Sequence, residues 1–177
     1  MSTRVDYSSD EWEAIRRTPA EAVLAVEQAS PSGFFGRRRE RAAAQRGFAD
    51  AIAHFSGLDL VDAIVAARDE EGPLIDSLRS GGESYLETAI ETAGTARRAI
   101  LVKGTRQELE AFVGSVLATA EAVALAGGSR GAPGRLSAAE VLLLRRLAVA
   151  LGRPDYEPPT DTSVLPTPTQ NPSPGDF

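Results

Sequence analysis

The sequence predicts an all-α fold, a single compact bundle of about seven helices followed by a proline-rich tail, and three observations predict it. Helix-start signals recur as a Ser or Thr followed three residues later by Glu, at Ser8/Glu11, Thr18/Glu21, Thr105/Glu108 and Ser137/Glu140; hydroxyl and carboxylate can then satisfy the exposed backbone N–H groups reciprocally. Between these signals, apolar residues recur three and four apart. No segment shows the sustained alternation, bounded by turns, of paired strands.

Helices are expected over 9–17, 19–29, 37–55, 58–70, 83–103, 106–126 and 138–151, with one further turn at 73–79. Ser8/Glu11 opens the first. Thr18/Glu21 opens the second, with Pro19 at the first helical position, where its missing N–H costs nothing. Ala44, Phe48, Ile52 and Phe55 form the stripe of the third, and Leu86, Ile90, Ala93, Arg97 and Ile100 that of the fifth, with one charged interruption. The sixth is the clearest: Leu109, Phe112, Val113, Val116, Leu117, Ala120 and Val123 recur from the cap at Thr105 to Gly127 and Gly128. The last, "GRLSAAEVLLLRRLAVALG", has Leu136 and Val141 placed as a hydrophobic staple and Gly152 as a left-handed stop. Its apolar residues face nearly every direction except Arg145 and Arg146, the pattern of a helix largely enclosed by others. Breaker-rich connections such as "KGT" and "GGSRGAPG" separate the helices, and the short ones favour antiparallel neighbours.

Three regions follow: a flexible N-terminus over 1–8, a helical bundle domain over 9–152, and a disordered tail over 153–177 that holds seven of the eleven prolines. The tail is either a solvated terminus or a tethering peptide. A faint internal echo, "AEAV" at 20–23 and again at 120–123, suggests a pseudo-repeat and is equally compatible with chance in a chain rich in Ala and Glu.

The 177 residues, 42% of them hydrophobic, suffice for one core. A net charge of −6 works against general attraction to nucleic acid, so a nucleic-acid partner is not expected. Cysteine is absent, which removes disulfides, thiolate catalysis and thiolate metal sites. The start is polar and acidic, and no apolar run is read as reaching the roughly 18 residues of a membrane span. A cytoplasmic location is expected.

Candidate chemistry is sparse. His54 sits near a helix end, where its charged form suits the exposed carbonyls, and no second His or Cys is present to complete a transition-metal set. The acidic runs "DYSSDEWE" and "RDEEG" lack the order of an EF-hand loop and read as solvated helix ends. "GGSRGAPGR" lacks the spacing and the Lys-Ser/Thr ending of a phosphate loop. No catalytic residue, metal ligand or cofactor is assigned. The most localised charge is Arg37, Arg38, Arg39, Arg41 and Arg46, on the opening turns of one helix beside Phe34 and Phe35. Cations there oppose the helix dipole, so this cluster is the candidate contact for an anion or a partner, beside the plainer reading of an exposed charged face.

The closing stretch resembles the last helix of TerB-like proteins, the tellurite-resistance-associated all-helical family. There a Gly-rich loop leads to a Ser or Thr cap, a Glu, and a helix ending in Leu-Gly; Ser137, Glu140, Leu147 and Leu151-Gly152 fill those places. "VLATAEAVALAGG" is similar to the family's preceding helix, and "EAVLAVEQASPSG" echoes it in the first half. The resemblance covers 106–152 and is vaguer over 19–104. The family's metal-associated pattern has an Asp in the loop before the Glu, and this chain has no acid there. The resemblance implies a bacterial, non-enzymatic, stress-associated module that binds a protein partner or assembly through its helical body, Arg cluster or tail. The alternative is a TerB-like module that binds an anion or a divalent cation.

Overall fold

The computed structural model of the chain describes residues 3–29, 46, 57–71, 78, 84–127 and 135–159. Every regular element among the described residues is helical: a 3-10 turn at Arg4–Asp6, then α1 (Ser9–Ala29), α2 (Asp59–Glu71), α3 (Tyr85–Lys103), α4 (Arg106–Gly127) and α5 (Ala138–Ala150). The helix expected over 37–55 lies outside the described residues except for Arg46, which is helical, as is Leu78 within the expected turn at 73–79.

Ser8 caps α1 as expected: its N–H donates to Glu11 Oε2 at 2.7 Å and its Oγ accepts from the Glu11 N–H at 3.3 Å. The second expected start, Thr18/Glu21, is corrected. α1 continues through Pro19, so 9–17 and 19–29 are one helix. The Thr18 hydroxyl donates back to the Ala14 carbonyl at 2.7 Å instead of capping. Pro19 removes the N–H that would reach the Ile15 carbonyl, and burial outweighs that loss. Ile15, Ala22, Val23, Leu24, Ala25 and Val26 are all buried, because α1 packs against α3, α4 and α5 together.

The α1–α3 contact is the most extensive, and the two helices are antiparallel. Lys103 at the end of α3 pairs with Glu11 at the start of α1, and the Tyr85 N–H at the start of α3 donates to Gln28 Oε1 near the end of α1 at 2.8 Å. The buried line of α3 is Tyr85, Ala89, Ala93, Ala96 and Ile100. Leu86, Ile90 and Arg97 of the expected stripe are only half-buried, so the inward face is rotated toward the alanines. Small side chains let the two backbones approach closely, which a hydrophobicity count does not reward.

α4 opens with the expected box, the Thr105 N–H donating to Glu108 Oε2 at 2.7 Å and the Glu108 N–H to Thr105 Oγ1 at 3.1 Å. Phe112, Val113, Val116, Leu117, Ala120 and Val123 are buried as expected, and Leu109 is half-buried. By length and composition α4 is also apolar enough to cross a membrane, contrary to the expectation that no run qualifies; in this fold it is a core helix that packs against α1, α2, α3 and α5.

α5 is capped by Ser137, whose Oγ accepts from the Glu140 N–H at 3.2 Å while its N–H donates to Glu140 Oε2 at 2.6 Å. It ends in a Schellman motif: the Gly152 N–H bonds the Val149 carbonyl, the Arg153 N–H bonds the Ala148 carbonyl, and Gly152 has φ +80°. Glu87 meets Arg146, and further along both helices Arg97 lies against Gly152, so α3 and α5 run in the same direction.

Packing extends past both ends of the expected domain. In the segment read as a flexible N-terminus, Tyr7 is buried beside Trp12, their ring centroids 6.3 Å apart. In the segment read as tail, Tyr156 is half-buried against the core, its hydroxyl donates to Glu121 of α4, and Pro158 is buried.

Candidate functional site

Of the arginine cluster, Arg46 is helical and exposed; Arg37, Arg38, Arg39 and Arg41 lie outside the described residues. His54, the side chains of "RDEEG" and most of the glycine loop lie outside them too.

Asp6, Glu11 and Glu13 of the first acidic run have partners in the structure, and Asp10 is exposed. Asp6 Oδ2 accepts from the Thr3 N–H at 2.7 Å, a cap the sequence reading did not anticipate, and Glu13 pairs with Arg16 at 2.9 Å. Glu11 accepts both the Ser8 N–H and the Lys103 ammonium, and these hold its carboxyl below its ordinary pKa, Lys103 contributing most. The Lys103 Nζ also lies 5.9 Å from the Tyr7 ring centroid.

Among the described residues three glutamates are buried: Glu21, Glu108 and Glu140. Glu21 Oε1 accepts from Arg17 Nε at 2.7 Å, four residues back on α1. Glu21 Oε2 and Glu140 Oε1 are buried and make no hydrogen bond among the described residues. Among the described residues no group of three or more His, Cys, Asp or Glu side chains is placed to hold a metal ion.

The least expected surface is the outer face of α5. Leu143, Leu144, Leu147 and Ala148 are buried, whereas Leu142 is 61% and Val149 59% exposed. The expectation that α5 is largely enclosed, with its arginines outward, is therefore corrected: among the described residues α5 packs on α1, α3 and α4, and Leu142 and Val149 lie exposed on its remaining side. At 100° per residue, Leu142 and Val149 lie within about 20° of each other, and Arg145 and Arg146 lie about 50° to either side of them. The two apolar side chains form a seam two turns long, flanked by guanidinium groups. Arg146 is tied to Glu87 by paired bonds of 2.9 and 2.7 Å, which hold that carboxyl below its ordinary pKa. Arg145 is exposed and forms no ion pair among the described residues. A signal for this seam was present in the sequence, since Leu142 and Val149 are one heptad apart; the run "VLLLRRLAVAL" hid it by offering apolar residues on every side.

No family model, no curated protein and no solved structure matches this chain.

Proposed function

We propose that this chain is a non-enzymatic, cytoplasmic protein-interaction module of TerB-like type that takes its stress-associated role from the assembly it joins. The observation that carries the reading is the open seam of Leu142 and Val149 on a capped, well-packed helix. Burying the exposed part of these two side chains against a partner would contribute about 1–2 kcal/mol each, and a rigid helix presents them with little ordering cost. Arg37, Arg38, Arg39, Arg41 and Arg46 and the tail over 153–177 supply further contacts in this reading, and the seven-helix TerB-like architecture is its structural counterpart. The test is a photo-crosslinking residue at position 149, introduced in the cells that make the protein. The expected result is a defined adduct that disappears with Leu142→Ser and is absent when the same residue replaces Arg98, exposed on α3. No adduct at position 149, or one indifferent to Leu142→Ser, would overturn the reading.

A divalent-cation module is the second reading, favoured by two buried carboxylate oxygens, Glu21 Oε2 and Glu140 Oε1, that make no hydrogen bond among the described residues. A ligand selective for the native state raises its melting temperature. An unchanged melting temperature in Ca²⁺ and Mg²⁺ would remove this alternative.

A further inference from the structure

The chemistry of the α5 seam restricts what can lie on it. Ala138, Leu142, Arg145 and Val149 follow the alternating four- and three-residue spacing of a helix-pairing stripe, so Arg145 stands at the position where such a stripe would carry a third large apolar residue. A helix laid along the stripe covers Leu142 and Val149 and meets the Arg145 guanidinium between them. An apolar residue opposite Arg145 would desolvate a guanidinium that forms no ion pair among the described residues; a carboxylate there makes a charge-assisted pair. Arg146 is committed to Glu87 on one flank, and Arg145 supplies the open donor on the other.

We infer that the seam binds an amphipathic helix of another protein, one with apolar side chains seven residues apart and a carboxylate between them. This rests on the interaction-module reading and names the partner's chemistry. A second copy of this chain fits poorly: pairing the stripe with itself, in either direction, brings the Arg145 and Arg146 guanidiniums of the two copies together, and like charges so placed repel. An anionic membrane fits poorly as well, because two apolar side chains give little insertion and the chain carries a net charge of −6.

The test titrates the full chain into two labelled helical peptides followed by anisotropy. One is built of Ala, Leu and Glu with leucines seven residues apart and Glu between them; the other has Lys in place of each Glu. The expected result is binding of the Glu peptide, loss of it with Leu142→Ser or Val149→Ser, and, with Arg145→Glu, a weakening of about tenfold or more together with a switch toward the Lys peptide. All three positions are exposed, so unchanged helical circular dichroism will show that each variant is folded. Equal binding of both peptides, binding indifferent to position 142 or 149, binding to anionic vesicles instead, or concentration-dependent dimerisation abolished by Leu142→Ser would each overturn the inference. Failure of both peptides with the position-149 adduct intact overturns the acidic helix and leaves the interaction module standing. Failure of both experiments overturns both.

Discussion

The Arg97 guanidinium lies directly over Gly152: a Cβ at position 152 would stand 2.2 Å from Arg97 Nε. The same glycine has φ +80°. Two separate requirements therefore fall on one residue, a left-handed backbone and room for the arginine. Gly152→Ala is expected to lose about 1–2 kcal/mol from the left-handed strain, and more if Arg97 cannot swing aside. In an Arg97→Ala background, the substitution should cost the strain alone. Urea denaturation of the four proteins in this cycle measures the coupling, and additive losses would show that the guanidinium moves freely.

Pro19 sits inside α1, where it removes a backbone bond at an interior cost of about 3 kcal/mol. Pro19→Ala restores the N–H and gives up about 1–2 kcal/mol of ring burial. The expected outcome is a net gain of about 1 kcal/mol in stability, read by thermal or chemical denaturation. A loss would mean that the ring's packing outweighs the bond.

Glu11 joins the start of α1 to the end of α3, and its carboxyl is held below the ordinary value of 4.5, first by Lys103 and then by the Ser8 N–H. A depressed carboxyl contributes stability above its unfolded pKa and loses it as pH falls through the folded one. Asp6, held down by Thr3, acts in the same direction. The melting temperature should therefore fall as pH drops below the ordinary carboxyl value of 4.5, and Glu11→Gln should lower it at neutral pH while flattening that slope.

Tyr156 responds to the opposite end of the scale. Burial first, and then its bond to Glu121, raise its hydroxyl above the ordinary 10.0. The proton is held more tightly in the folded chain, so stability is retained below about pH 10 and falls as pH rises beyond it. Tyr156→Phe should be less sensitive to alkali, and near-ultraviolet absorbance should show a late phenolate arising together with unfolding. A phenolate titrating ahead of unfolding in the wild type and missing from Tyr156→Phe would place Tyr156 in solvent.

The helical class and most helix limits were legible because the local chemistry is explicit. Ser8, Thr105 and Ser137 cap as their spacing requires, Gly152 stops α5, and the stripe from Phe112 to Val123 faces the core. Thr18/Glu21 misled because a capping box is a local pattern, while α1 is held straight through Pro19 by three neighbouring helices. Ala93 stands in the expected stripe of α3, whereas Ala89 and Ala96 escape it for a related reason: close backbone approach, not side-chain size, buries them. The seam on α5 escaped because a run with apolar residues on all sides says nothing about which side lacks a neighbour. Tyr156 and Glu121, 35 residues apart, meet only once the chain after α5 turns back over α4.

The burial of Trp12 provides a built-in optical probe. It is the chain's single tryptophan, 5% exposed and beside Tyr7, whose ring lies near Lys103 of α3. Its emission therefore reports one joint, where the N-terminal turn and the end of α3 close over α1. A ligand confined to the outer side of α5 should leave that emission unchanged. A shift on binding would be the signature of strain carried through α1 from one side of the bundle to the other.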